Sequence, residues 1–276
     1  MLIDAHAHVW DTAVLDYPWI GPEVPVPPVF LPAQLREGDR EPTGFVFVQA
    51  DCVPEQGLAE ARWVAGLDAP DLVGIVAFAP LERADAAAAL AELSSLDSVI
   101  GVRRLLQDEE DAFVRGPALD AGLAALARHG WSFDACVRWT QLDAVAELSE
   151  RHDEVPIVLD HLGKPPLDDP DTDAFAHWRA GLARLAALPH VAVKLSGLPA
   201  ETTREPEADL VGPWLRAAVD LFGPTRCLIG SDYPVSARGS AGRVVWFDTV
   251  RAALAPSDAE WAHISSLSAR RIYRLR

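Results

Sequence analysis

Eight short apolar runs punctuate the chain, at residues 2–6, 44–49, 72–78, 99–105, 131–137, 155–161, 191–196 and 226–232. Runs of this length, rich in Val, Ile, Leu and Phe and bounded by turn residues, read as buried strands. Between most of them lie Ala- and Leu-rich stretches with helical spacing, at 55–67, 85–96, 117–129, 141–151, 173–188, 207–222 and 243–254. A strand that returns parallel to its neighbour needs a long crossover, and helices of this length supply it. The pattern predicts an α/β protein, a closed (β/α)8 barrel in which residues 1–276 form one domain. An open doubly wound sheet would carry a Gly-rich phosphate loop after its first strand, and none follows here. Segment 257–273 is expected to add a final helix packed beneath or beside the barrel.

One connection is irregular. Residues 9–42 carry Pro18, Pro22, Pro25, Pro27, Pro28 and Pro32 with Trp10, Tyr17 and Trp19, and only 31–37 has a helical pattern. A stiff Pro-rich segment at the end of a strand can act as a lid in contact with substrate, Trp19 being the candidate, or as a belt over an apolar patch.

Half of the residues are hydrophobic, enough for a large core in a chain of 276. The formal charge of -17 argues against nucleic acid or an anionic membrane as partner. Cys52, Cys136 and Cys227 are odd in number and sit in or beside strand-like runs, so buried free thiols are expected. With no secretory pattern at the start and no long apolar run, a soluble cytoplasmic protein is expected.

Chemistry in a barrel gathers where the strands end, because side chains from separate strands converge there on rigid supports. The eight ends offer His6 and His8, Gln49, Phe78, Arg103, Asp134, His161, Ser196 and Asp232. Phe78 apart these are polar, and a buried polar group without partners is costly. Two residues apart on a strand, His6 and His8 point to one side. His161 tips an apolar strand, with Gly163 freeing the turn and Lys164 adding a cation; the plain alternative is a hydrogen-bonded core histidine. Asp232, beside Ser231 and before Pro234, can take a proton from water or bind a metal, or else merely cap a turn. His129, His152, His177, His190 and His263 fall among charged neighbours on or near helices and read as surface residues.

Taken in order, DAHAHVWD, FVQAD, GVRR, FD, LDHLGKP, VKLSGL and GSDYPV resemble the amidohydrolase superfamily, and within it the amidohydrolase-2 branch of sugar-lactonase-like proteins. That branch includes fuconolactonases, rhamnonolactonases and the pyrone-dicarboxylate lactonase. The resemblance covers nearly the whole chain and implies a (β/α)8 barrel that hydrolyses a ring ester. It also implies that His6 and His8 are the first-strand pair, His161 the sixth-strand histidine and Asp232 the eighth-strand aspartate, with Gln49, Arg103 and Lys194 at polar positions of the lactonase branch. The fifth-strand histidine of the wider superfamily is absent, and Asp134 stands on that strand. On the fourth, Arg103 would repel a second metal.

The reading that follows is a hydrolase opening a sugar-acid lactone. Asp232 is the expected general base, and His161 with His6 and His8 polarises the ring carbonyl. Gln49, Arg103, Asp134, Lys164, Lys194 and Trp19 are the expected substrate contacts. The cofactor is either none, with the imidazoles acting as a hydrogen-bonding cluster, or one weakly held zinc on His6, His8 and Asp232. The expected partner is a small-molecule lactone, without nucleic acid or membrane, and self-association into a homo-oligomer is compatible with the sequence. A zinc-dependent amidohydrolase or decarboxylase on the same barrel, and a non-catalytic sugar-acid binder, are the alternatives. The lactonase reading requires Asp232, His6 and His161 to meet around one water, within about 10 Å. Specificity is assigned to the loops at 9–42 and 233–242.

Overall fold

The computed structural model describes residues 1–24, 26–41, 43–169, 172–236 and 242–275. Pro25 and Pro42 of the first loop, and residues 237–241 of the last, lie outside the described residues. The barrel strands are β1 (Leu2–Ala7), β2 (Thr43–Val48), β3 (Leu72–Phe78), β4 (Val99–Leu105), β5 (Ser132–Cys136), β6 (Ile157–Leu159), β7 (Val191–Leu195) and β8 (Cys227–Ile229). They pair in sequence order and in parallel throughout. The ring closes just past β8, where the Asp232 amide donates to the His6 carbonyl (2.7 Å) and the His8 amide to that of Tyr233 (3.0 Å).

Among the described residues, seven helices of at least 8 residues form the outer layer: α1 (Gly57–Ala65), α2 (Ala86–Leu93), α3 (Pro117–Ala127), α4 (Leu142–Arg151), α5 (Thr172–Ala186), α6 (Ala208–Phe222) and α7 (Gly242–Leu254). The strands alternate as the pleat requires. Phe45, Phe47, Phe133, Leu159 and Val193 face the helices, while Val46, Val48, Val76, Val158 and Leu228 face the barrel axis. The expected last helix is one continuous helical segment with a π-turn at His263–Leu267, and its Tyr273 plugs the lower end of the barrel.

Two strands fall far short of their apolar runs, each keeping 3 residues. Strand β6 stops at Leu159 and β8 at Ile229, because His161 and Asp232 have left-handed backbone (φ 54° and 55°) that cannot continue a ladder. In the first loop, Trp10–Asp11 and Val29–Phe30 make a small antiparallel ladder, and Trp10 is sealed with its indole N–H donating to the Pro27 carbonyl (2.8 Å). The three cysteines are buried and free. His152 departs from its expected exposure: it is buried, with Nε2 2.9 Å from Asp120 Oδ1. No helix among the described residues is long and apolar enough to cross a membrane.

Candidate active site

The first strand does not run straight. Its register with β2 slips between Asp4 and Ala7, and this irregularity re-aims the side chains that follow. Asp4, ahead of the slip, points away from the axis and accepts from the Ser231 hydroxyl (2.6 Å) and amide (2.8 Å), with Arg243 at 3.5 Å. His6 and His8 point inward instead. Gly230 makes the room, since a Cβ there would lie 2.7 Å from that of His6.

At the carboxyl ends of the strands three imidazoles surround one carboxylate oxygen. Asp232 Oδ1 lies 3.1 Å from Nε2 of His8, 3.5 Å from that of His6 and 3.9 Å from that of His161. Its other oxygen accepts from the Ser236 hydroxyl (2.6 Å). The groups that the sequence required to meet around one water do meet. His161 is seated against Ser196 Oγ, 2.9 Å from Nδ1, and across from Gly197, where a Cβ would come within 2.2 Å of that nitrogen.

The His8 ring is fixed by its other nitrogen. Nδ1 sits 2.8 Å from the Val48 carbonyl, an acceptor only, so Nδ1 carries a proton. Nε2, facing Asp232, then either bears a second proton or offers its lone pair to a cation shared with that carboxylate. Burial lowers His161 to about 4 and, with the Lys194 ammonium beside it, holds His6 well below the usual imidazole value. Both rings are neutral at pH 7. Burial opposes ionisation of Asp232, but in acid, where His161 is protonated, the charge interaction with that ring and the hydrogen bond to His8 outweigh it, so its carboxyl lies below the usual range.

Beneath the histidines runs a buried ionic layer, whose Arg103 reaches the cavity. Lys194 Nζ contacts Asp134 Oδ2 (2.6 Å), Asp160 Oδ1 (2.9 Å) and His6 Nδ1 (3.0 Å). Arg103 reaches Asp160 Oδ2 and His6 Nε2, both at 3.3 Å, and donates to the Gln49 carbonyl. Tyr273 donates to Asp134 from below (2.7 Å), and so does Ser132 (2.9 Å). Two cations face two carboxylates, so the layer is balanced. Asp160 was not singled out in the sequence. It precedes His161 at the end of an apolar run, and that was the signal available.

A cavity of about 150 Å³ opens above the cluster, lined by His8, Trp19, Asp51, Arg103, Lys164, Glu201 and Asp232 among others. Trp19 forms a wall of it, its indole donating to the Ala50 carbonyl (2.8 Å), so the first loop serves as belt through Trp10 and as pocket wall through Trp19. Lys164 pairs with Glu201 (3.3 Å). Three expected substrate contacts do not line this cavity. Gln49 is buried, and its Oε1 accepts the Asp51 amide; Asp134 and Lys194 lie sealed in the layer below, because both point to the axis deeper on β5 and β7 than the strand ends. Asp51 and Glu201 line the cavity and were missed, since both fall after their strands in loop sequence.

The donor set fits one divalent cation. Ligand atoms of His6, His8 and Asp232 lie within 4.8 Å of one another, and two imidazoles with a carboxylate suit zinc. A second group, His6 with Asp160 and His161, meets the same distance test. It fails chemically, because Lys194 and Arg103 already occupy both oxygens of Asp160.

A family profile described as amidohydrolase matches residues 3–275. An L-fucono-1,5-lactonase from Burkholderia multivorans is 37% identical over 247 residues, which cover 84% of this chain and 82% of that protein. The crystal structure of an amidohydrolase from Burkholderia multivorans with bound zinc is similar over 100% of both chains, with a TM-score of 0.86 and 33% identity. An amidohydrolase of the same species in another crystal form, with bound HEPES, gives 0.87 and 32%, again over 100% of both chains.

Proposed function

This chain belongs to the amidohydrolase family, and we propose that it is a lactonase that opens a sugar-acid lactone, residues 1–276 acting as one barrel. The observation that carries the reading is the meeting of three imidazole nitrogens on one ionised carboxylate oxygen at the floor of a cavity. Similarity to an L-fucono-1,5-lactonase supports the choice of substrate class.

Asp232 holds the attacking water and takes its proton as the hydroxyl adds to the ring carbonyl. Ser236, bonded to the other oxygen, fixes the plane of that carboxylate. His161 is neutral; in the tautomer protonated at Nε2, its Nδ1 accepts from the Ser196 hydroxyl and Nε2 donates to the developing oxyanion. When the carbon–oxygen ring bond breaks, the proton held by Asp232 passes to the leaving alkoxide. The product is an open hydroxy acid, which ionises and releases acid.

His6, His8 and Asp232 would hold a zinc ion, which when bound polarises the carbonyl and favours deprotonation of water. Lys194 and Asp160 hold His6 at Nδ1 (3.0 and 3.3 Å), as the Val48 carbonyl holds His8. Trp19 and Lys164 hold the ring and its hydroxyls against the floor.

A pH-stat screen of five- and six-membered sugar lactones tests this. Catalysed acid release on at least one of them, without CO₂, is the expected result. Catalysed CO₂ release from an aromatic or sugar acid, with no lactone opened, would overturn it in favour of a decarboxylase.

A further inference from the structure

Asp51 follows β2 in an arch that is unusually constrained for a loop. Its backbone is left-handed (φ 60°), and its amide donates to Gln49 Oε1 at 2.7 Å. The preceding residue is held at both ends: the Ala50 amide donates to the buried Glu60 (3.0 Å), and its carbonyl accepts from Trp19 (2.8 Å). Three bonds thus fix the backbone that carries this exposed carboxylate on the cavity wall, where it lies within charge-interaction range of Arg103 and His8. Its own oxygens have no hydrogen bond or ion pair among the described residues. A rigid backbone that presents an unpartnered acceptor to a cavity is arranged for a ligand.

The charges around it indicate which ligand. Lys164 is matched by Glu201, and Arg103 belongs to the balanced layer with Lys194, Asp134 and Asp160. Among the described residues, the ionic groups left unmatched at the cavity are the carboxylates Asp51 and Asp232. A substrate carboxylate would meet no free cation and would face Asp51. A neutral polyol would instead donate hydroxyls to it, since one carboxylate accepts two neighbouring O–H groups.

Resting on the lactonase reading above, we propose that Asp51 is the specificity-determining residue of this site: it accepts hydroxyls of a neutral, polyhydroxylated lactone and turns away lactones that carry a carboxylate. The geometry assigns it no part in the bond-breaking step. Arg103 lines the cavity, and its guanidinium is engaged by Asp160 and the Gln49 carbonyl.

The test compares wild type with Asp51→Asn and Asp51→Ala on three probes: L-fucono-1,5-lactone, δ-valerolactone without hydroxyls, and a glucaric acid lactone with a free carboxylate. Wild type is expected to favour the first probe. Asp51→Asn should raise its KM about tenfold or more, the loss expected for a hydrogen bond to a charged group, with kcat nearly kept. On δ-valerolactone the variant should match wild type, and on the anionic lactone it should gain. An equal fall on all probes, or no change on any, would overturn the assignment. Wild type without turnover on any lactone would overturn the lactonase reading instead. The assignment of Asp51 would then be decided by thermal shift, where L-fuconate lactam should stabilise wild type but not Asp51→Ala, and equal stabilisation of both would overturn it.

Discussion

Lys194 Nζ lies 2.6 Å from Asp134 Oδ2 at the centre of the barrel, and neither side chain has any exposure. A buried pair of this kind is costly to form but far more costly to halve, because the partner left behind is an uncompensated charge. Here Asp160 also depends on the same ammonium. Burial opposes the charged lysine, and Asp134 with Asp160 outweigh it, so Lys194 stays protonated.

Lys194→Met is therefore expected to destabilise the protein by about 3–5 kcal/mol. Urea unfolding followed by circular dichroism measures this. A loss below about 1 kcal/mol would mean that Asp134 and Asp160 are satisfied without it.

Glu60 gives a prediction in pH. Burial, only partly offset by the Ala50 amide and Tyr17, raises its carboxyl from 4.5 to about 7. The folded protein then binds more protons than the unfolded chain between these values, so the contribution of Glu60 to stability falls as pH rises through them. Below 4.5 no penalty exists; above about 7 it is complete. Glu60→Gln keeps the acceptor for Ala50 and removes the ionisation. Its stability relative to wild type should improve by about 2 kcal/mol between about pH 5 and pH 8. A difference that stays flat with pH would contradict the assignment.

Metal content should distinguish one site from two. Zinc titration with elemental analysis is expected to saturate at one ion per chain, and His8→Ala should abolish it, because the other histidine group among the described residues needs Asp160, whose two oxygens already face Lys194 and Arg103. Two zinc ions per chain, or full retention in His8→Ala, would contradict this.

The sequence revealed most where side chains stand at strand ends and least where backbone geometry decides. Period and crossover length foretold eight parallel strands, and the pattern at residues 2–8 placed His6 and His8 on one side. The slip after Asp4 carries no sequence mark, and it turns His6 to the axis while Asp4, ahead of it, faces Arg243. Lys194 and Asp134 were polar on otherwise apolar strands, which signals the barrel interior but not depth; pairing across the axis placed them under the site. Asp51 could not be read at all, because its position comes from a left-handed loop residue and three bonds to distant groups.

Asp232 activates water for ring opening, and Asp232→Asn removes the base while keeping the shape of the side chain. With L-fucono-1,5-lactone in a pH-stat, acid release is expected to slow by about 10²–10⁴-fold, with an unchanged circular dichroism spectrum. A folded Asp232→Asn protein that opens the lactone at the wild-type rate would contradict it.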